Sequence, residues 1–332
     1  MIALLGGRRG FLVGVVTLAI GIVLPLVPGV YTVFAANLVC FALFAVSFDL
    51  LLGFAGLLSF GQALFWGGGG YLAMLSLLRW HLPGPFAIVI GTAYAALAAL
   101  IIGRLAVRRT GIYFAMITLA LAQLQYFLVF QLGDVTGGEN GLTSENRGAF
   151  FGLPVENDMF FYYFVLACAV AVVALTIRIV RSPFGMVLTA MRENEQRAQS
   201  VGYQVDRFKL VAFVMSGTIA GFAGTLYALN NRLVGLDAVD WHTSGKVVMM
   251  TILGGIGTIY GAIAGAGLFE SLDYFVSKTP IGDKTNVVMG TIFAIVILTA
   301  RRGLVGEILS ALRDRAPTPL ESEPEIGVAD TV

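Results

Sequence analysis

Apolar stretches of 18 residues or more, almost free of charge, recur along most of the chain, at 11–28, 31–52, 86–103, 111–132, 160–177 and 210–229. Polar positions gather between them. A helix that crosses a bilayer needs about 20 mostly apolar residues. Lipid offers no partner to a backbone N–H or C=O, so each stretch should close its own hydrogen bonds as a helix. The pattern predicts helices near 11–29, 31–52, 56–78, 86–103, 111–131, 160–177, 210–230, 244–258, 259–277 and 286–300. Segment 56–78 is rich in glycine and 244–258 is too short to span alone, so eight or nine crossings with re-entrant pieces remain open. The expected fold is all-α: a polytopic transmembrane helical bundle of about 10 helices (8–10), with broken or re-entrant Gly-rich segments.

Composition agrees. Of the 332 residues, 58% are hydrophobic and 12% charged, with a mean hydropathy of +0.86. A soluble domain carries about 25% charged residues. The net charge of +1 gives no basic stripe for nucleic acid. Cys40 and Cys168 lie in apolar stretches and read as buried structural thiols. Arg8 and Arg9 precede an apolar stretch, as in a signal peptide. That stretch ends at Pro25 and Pro28 without a small-residue cleavage site and reads as a retained first helix.

The 21 Lys and Arg residues divide unevenly between the two faces that the helices imply. Fifteen share one side, among them Arg104, Arg108, Arg109, Arg178, Arg181, Arg192, Arg197, Arg207 and Lys209; Arg79, Arg147, Arg232, Lys246, Lys278 and Lys284 take the other. The positive-inside rule makes the first group cytoplasmic. Ten crossings then put both termini in the cytoplasm. The resulting divisions are an N-terminus over 1–10, a transmembrane domain over 11–305, and a disordered tail over 306–332 with Pro317, Pro319 and Pro324. A cytoplasmic loop covers 178–209 and a periplasmic loop 133–159.

Two Gly-dense stretches interrupt the helices. One holds Gly53, Gly56, Ser59, Gly61 and Gln62 and continues through 67–70; the other holds Gly254, Gly255, Gly257, Thr258, Gly261, Gly265 and Gly267. Glycine at four-residue spacing permits close helix packing, the ordinary reading for Gly217 and Gly221. Runs this dense suggest broken helices, and interrupted segments in both halves of a membrane protein point to a translocation path. Both readings stand. Asp49, Glu270 and Asp273 are the acids inside the apolar stretches, and each lies near a predicted helix end, where snorkelling to an interface competes with a transport role.

The loops differ in character. The 133–159 loop carries five acids against Arg147 and reads either as a solvated connection or as a docking surface. In the 178–209 loop, Pro183 and Gly185 break the chain. Residues 186–201 then read as one helix with Met186, Leu188, Ala190, Met191 and Ala198 as its apolar members, stopped by Gly202. Its interleaved Arg192, Glu193, Glu195 and Arg197 favour a protein partner over a lipid surface.

Ser244-Gly245-Lys246 lacks the upstream glycine of a phosphate-binding loop and is followed by Val247. With only His81 and His242, the chain offers no zinc motif and no nucleophile–histidine set. No cofactor is expected on this chain, and any energy for pumping must come from an ion gradient or another subunit.

Several motifs, in order, carry a family likeness. They are 47–63 (SFDLLLGFAGLLSFGQA), 109–120 (RTGIYFAMITLA), 182–185 with 190–195 (SPFG, AMRENE), 216–228 (SGTIAGFAGTLYA) and 254–258 (GGIGT). Over roughly 30–305 the sequence resembles the permeases of branched-chain amino acid ABC transporters, and within them the M-type subunit. The resemblance implies an importer of the bacterial inner membrane, with a second homologous permease, two cytoplasmic ATP-binding subunits that hold ATP and Mg, and a periplasmic solute-binding protein. It places Arg192, Glu193, Asn194, Glu195, Ala198 and Gly202 in the helix that docks on an ATPase. It makes Asp49, Gly53, Gly56, Ser59, Gly61, Gln62, Gly254, Gly255, Gly257 and Thr258 candidates for the path. Many members carry Asn, Gln and His at the positions of Asp49, Leu57 and Gln62, and importers of urea and short-chain amides share the motifs. An ion-coupled secondary transporter is the alternative from another class.

Overall fold

A computed structural model describes residues 8–27, 29, 31–150, 152, 154–278, 285–299 and 303. The tail expected over 306–332 and residues 1–7 lie outside them, and Arg8 already opens the first helix. Thirteen α-helices follow in order among the described residues: α1 (Arg8–Val23), α2 (Thr32–Asp49), α3 (Gln62–Leu78), α4 (Gly84–Ala106), α5 (Ile112–Gln131), α6 (Gly133–Thr136), α7 (Asp158–Val180), α8 (Pro183–Glu193), α9 (Glu195–Ser200), α10 (Val205–Asn231), α11 (Trp241–Gly254), α12 (Ile259–Ser277) and α13 (Thr285–Thr299). The described strands, β1 (Leu142–Thr143) and β2 (Leu233–Val234), pair antiparallel.

Among the described residues, five helical segments are long and apolar enough to cross a membrane: Thr32–Phe54, Gly84–Ala106, Ile112–Gln131, Asp158–Val180 and Val205–Asn231. Helices α11 and α12 pass the same test only together, bent by 117° at their junction. The protein is a polytopic helical membrane protein. Each of the ten expected spans has a counterpart, α8 and α9 answer to the surface helix expected over 186–201, and α6 is a short addition. The segment expected from 56 starts only at Gln62, because 55–61 is not helical.

Helix α10 is the hub, packed on α2, α3 and α4, while α12 packs on α2 and α11. Glycine lets these helices touch at backbone distance. A Cβ on Gly69 would lie 2.7 Å from the Gly221 carbonyl oxygen, and one on Gly217 would lie 2.6 Å from Ala99 Cβ. Between apolar helices in lipid, such close packing replaces the hydrophobic drive that water supplies elsewhere. Residues 67–70 stay inside α3, and Gly261, Gly265 and Gly267 stay inside α12, so the close-packing reading holds at 67–70, Gly261 and Gly265, where an added Cβ would clash.

The five acids of the 133–159 loop are exposed, but the loop is tied to the bundle through one buried cation. Arg147 is 1% exposed. It donates to the Leu229 and Asn230 carbonyls at the end of α10 (both 3.3 Å) and to Val155 O at 2.9 Å, and its guanidinium lies 4.4 Å from the Phe161 ring centroid. Asp158 pairs with it at 2.6 Å. A cation here satisfies carbonyls that have no partner within the helix and faces the negative end of the α10 dipole. Cys40 is buried as expected, but Cys168 is only half-buried.

Candidate functional site

The first break begins where α2 widens into a π-helical turn, Leu50–Phe54. The chain then runs without helix from 55 to 61. At membrane depth each freed backbone N–H needs a partner. Leu57 N–H finds Leu51 O (3.1 Å). Phe60 N–H donates to Thr118 Oγ1 on α5 (3.2 Å), Gly61 N–H to Ser59 Oγ (3.2 Å), and Ala63 N–H to Ser244 Oγ on α11 (2.8 Å). Gln62 Nε2 donates to Ser216 Oγ on α10 (3.0 Å), and that hydroxyl donates to Ser47 O (2.6 Å). Side chains from three neighbouring helices thus hold the break open. At Gly56 the backbone has φ +72, a conformation that disfavours any residue with a Cβ.

The second break separates α11 from α12. Gly255 (φ +114) and Gly257 (φ +78) turn the chain, and Thr258 Oγ1 donates to Gly255 O at 2.7 Å. The two breaks meet. Asp49 Oδ1 accepts the Gly257 N–H at 2.6 Å. A Cβ on Gly53 would lie 2.7 Å from Gly257 Cα, so only glycine lets the segments lie this close. Asp49 is fully buried, and its Oδ2 has no hydrogen-bond partner among the described residues. Its carboxylate therefore does not snorkel to an interface; it fastens one break to the other.

The surface helix reaches the same place. Residues 186–201 form two helices rather than the single one expected. Asn194 adopts extended backbone (φ −154, ψ 100), and its side chain caps α9 by accepting the Arg197 N–H at 2.9 Å. This is the usual task of an N-cap asparagine. The buried positions are Gly185, Leu188, Met191 and Ala198, whereas Met186 and Ala190 are exposed, correcting their place on the apolar face. Gly202 (φ +98) stops α9 as expected, with Tyr203 N–H on Ala198 O and Gly202 N–H on Gln199 O. That pair of bonds is a Schellman C-cap.

Arg192 leaves α8 and donates through Nη1 to Gly53 O, while its Cγ lies 3.0 Å from where a Gly56 Cβ would stand. Glu195 binds Lys209 at 2.7 Å, and the Lys209 side chain is 4% exposed. These charges line a cleft of about 200 Å³ together with Ala55, Gly56, Leu57, Thr110 and Gly111.

The structure thus joins Asp49, Gly53, Gly56, Gly257 and Arg192 in one cluster, with Gly254, Gly255 and Thr258 at its hinge and Glu195 beside it. Ser59, Gly61 and Gln62 lie one step away, at the start of α3. Glu193 is exposed, and open space surrounds the position of a Gly202 Cβ. The sequence reading missed Thr118, Ser216, Ser244 and Lys209. Their signal was polarity inside otherwise apolar helices. A larger groove of about 510 Å³ between α1, α2, α7 and α12 is aliphatic except for Thr17, Tyr260 and Ser271 and does not border this cluster.

A bundle of membrane helices with two broken segments fastened together and hooked to a surface helix has the parts of a transport subunit. Residues 30–298 match the family model described as branched-chain amino acid transport system / permease component. The chain belongs to that family. It is 28% identical over 283 residues to the high-affinity branched-chain amino acid transport system permease protein LivM of Escherichia coli, covering 78% of this chain and 66% of that one. To LivM of Salmonella typhimurium it is 27% identical, over 69% of this chain and 59% of that one. The chain therefore spans less than two thirds of the length of these two relatives. It is also 25% identical to a probable LivM of Methanocaldococcus jannaschii, over 67% of this chain and 74% of that one.

Proposed function

We propose that this chain is a transmembrane permease subunit of an ABC importer that carries branched-chain or related amino acids into the cytoplasm. It does no catalysis of its own. Two partner ATPases hold ATP and Mg, a second homologous permease completes the path, and a periplasmic binding protein delivers the solute. The membrane is the bacterial inner membrane, with both termini cytoplasmic, the 133–159 loop periplasmic and the 178–209 loop cytoplasmic. The division into 1–10, 11–305 and 306–332 follows from that topology.

One observation carries the reading. The α8–α9 surface helix, the part exposed for a partner to push, is hooked through Arg192 to Gly53, and Gly53 lies against Gly257 at the α11–α12 hinge. Movement of α8 by an ATPase would reach both breaks through that hook, as a rigid-body shift passed along packed elements. Asn194, Glu195, Ala198 and Gly202 shape the helix pair, and the charges of Arg192, Glu193 and Glu195 would set its register on the partner.

The test is co-purification in mild detergent, followed by reconstitution with radiolabelled leucine. ATP-hydrolysing subunits and a second permease should co-purify, and uptake should require ATP. A chain that purifies alone and moves solute without ATP is an ion-coupled transporter. A complex that moves urea or acetamide in place of leucine shifts the substrate and leaves the mechanism.

A further inference from the structure

The groove of about 510 Å³ beside α1 has fixed ends. Gly14 and Gly21 pin α1 to the bundle, about two turns apart. A Cβ on Gly14 would lie 2.7 Å from Tyr260 Oη on α12, and one on Gly21 would lie 3.1 Å from Leu166 Cδ1 on α7. Tyr162 Oη donates to Gly21 O, and Tyr163 Oη to Ile22 O at 3.3 Å. The Gly21 carbonyl lacks its usual helical donor, because Pro25, four residues on, has no N–H. Between the pins the groove parts α1 from α2, α7 and α12, and its lining residues Leu18, Ile20 and Val170 are exposed. It therefore opens sideways.

Its dimensions select the occupant. The walls run from Leu166 to Ile177 on α7 and from Tyr260 to Ser271 on α12, about 16 Å each at about 1.5 Å per residue. Half of a bilayer's hydrocarbon core is about 15 Å thick. The groove's volume over that length leaves a cross-section of roughly 30 Å². A helix about 10–12 Å wide fills roughly 80–110 Å², so no partner helix enters. A single hydrocarbon chain does. An aliphatic cavity stays dry, and left empty it forfeits the contacts of its lining. At membrane depth the material beside it is lipid.

A cation stands beyond one end. Lys278 follows Ser271 by seven residues and Tyr31 precedes Leu38 by seven, so each continues a helix face that lines the groove. Lys278 Nζ lies 4.1 Å from the Tyr274 ring centroid and 5.6 Å from that of Tyr31, and Tyr274 stacks on Phe34 at 4.2 Å. The ammonium donates to Tyr274 Oη, which leaves two of its three N–H groups for an anion. Tyrosine rings and lysine side chains gather at the headgroup level of a bilayer. Lys278 is exposed and forms no ion pair among the described residues. Its position about 10 Å past Ser271 matches a phosphate at the head of a chain lying in the groove.

We propose that the groove holds one acyl chain of an anionic phospholipid whose phosphate is bound by Lys278. The lipid belongs to the leaflet on the side of the 133–159 loop, periplasmic in the topology proposed above. It fills the gap beside α1 and holds that helix on the bundle. The site depends on these helices lying in a membrane and not on the solute carried.

The test is native mass spectrometry of the full chain, with whatever subunits accompany it, extracted in mild detergent and offered dioleoyl phosphatidylglycerol or dioleoyl phosphatidylcholine. A Cβ on Gly267 meets nothing within 4 Å, so Gly267→Leu is accommodated and fills the groove. The lipid that wild type retains and Gly267→Leu loses reports the site. That lipid should be phosphatidylglycerol in preference to phosphatidylcholine by about fivefold, the selectivity of one lysine at an anionic headgroup. Lys278→Gln should bring the two lipids to equal retention. Equal retention by Gly267→Leu and wild type overturns the groove as the binding place. Equal retention of both lipids by wild type, or an undiminished preference in Lys278→Gln, overturns the phosphate contact. Lipid held by the chain alone and absent from its complex assigns the groove to a partner subunit and also overturns the proposal. Should Gly267→Leu fail to fold, Ala264→Leu, exposed on the same wall, takes its place.

Discussion

Asp49→Ala should loosen the junction between the two broken segments. The carboxylate holds the Gly257 N–H at 2.6 Å inside a fully buried site. Removing it forfeits a hydrogen bond to a charged acceptor, about 1.5–3 kcal/mol, and strands a buried N–H, about 1–3 kcal/mol, two costs that overlap. Against this, the variant no longer buries a carboxylate whose Oδ2 lacks a partner, which offsets part of the loss. The net expectation is about 2 kcal/mol, or roughly 4 °C in the thermal midpoint by the scaling for soluble domains. Asp49→Asn keeps an acceptor of the same shape and should cost under about 1 kcal/mol. A thiol-reactive fluorophore suits the measurement in a Cys168→Ser background, because Cys168 is only half-buried whereas Cys40 on α2 is buried and becomes reactive only when the bundle opens. Equal loss in Asp49→Asn and Asp49→Ala would show that charge, not the Gly257 contact, is what matters. No change in Asp49→Ala would refute the idea that this residue holds the hinge.

Other outcomes follow from the same geometry. Gly53→Ala would push a Cβ against the Gly257 backbone, with an expected loss of about 1–3 kcal/mol, and its effect should be non-additive with Asp49→Ala in a double-mutant cycle read by the same dye. Arg147→Ala removes the cap on α10 and unpairs buried carbonyls, about 3 kcal/mol; limited proteolysis should then cut within 133–157 while the other loops stay resistant. Glu195→Ala leaves the Lys209 charge buried and alone, so it should destabilise by about 2 kcal/mol and by more than Glu195→Ala combined with Lys209→Met. Gly202→Ala has space but must hold φ +98, a backbone cost of about 1–2 kcal/mol. In the reconstituted importer it should lower leucine uptake per ATP hydrolysed, and full coupling at normal protein level would remove α9 from the docking surface.

Much of this molecule is settled locally. Uninterrupted apolar stretches allow only helix in lipid, so the helices and their order could be read along the chain, usually within a few residues of their ends. Gly202 as a stop was equally plain, since a local conformational demand selects glycine there. Other features depend on what lies across the bundle. Dense glycine marks either a break or a tight contact, and only packing separates them: 67–70 stays helical with neighbouring elements, α10 at Gly69 and Gly70, filling the space its side chains leave, whereas 55–61 is unwound, with Thr118 bonding Phe60 and Ser216 and Ser244 anchoring Gln62 and Ala63 just beyond it. Asp49 sits near a helix end in sequence, yet 208 residues later the chain returns Gly257 to its carboxylate. Hydrogen-bond demand and apolar transfer act residue by residue and so are written in the sequence. Partnership across helices depends on approach distances that no single segment encodes, and the tertiary structure alone decides it.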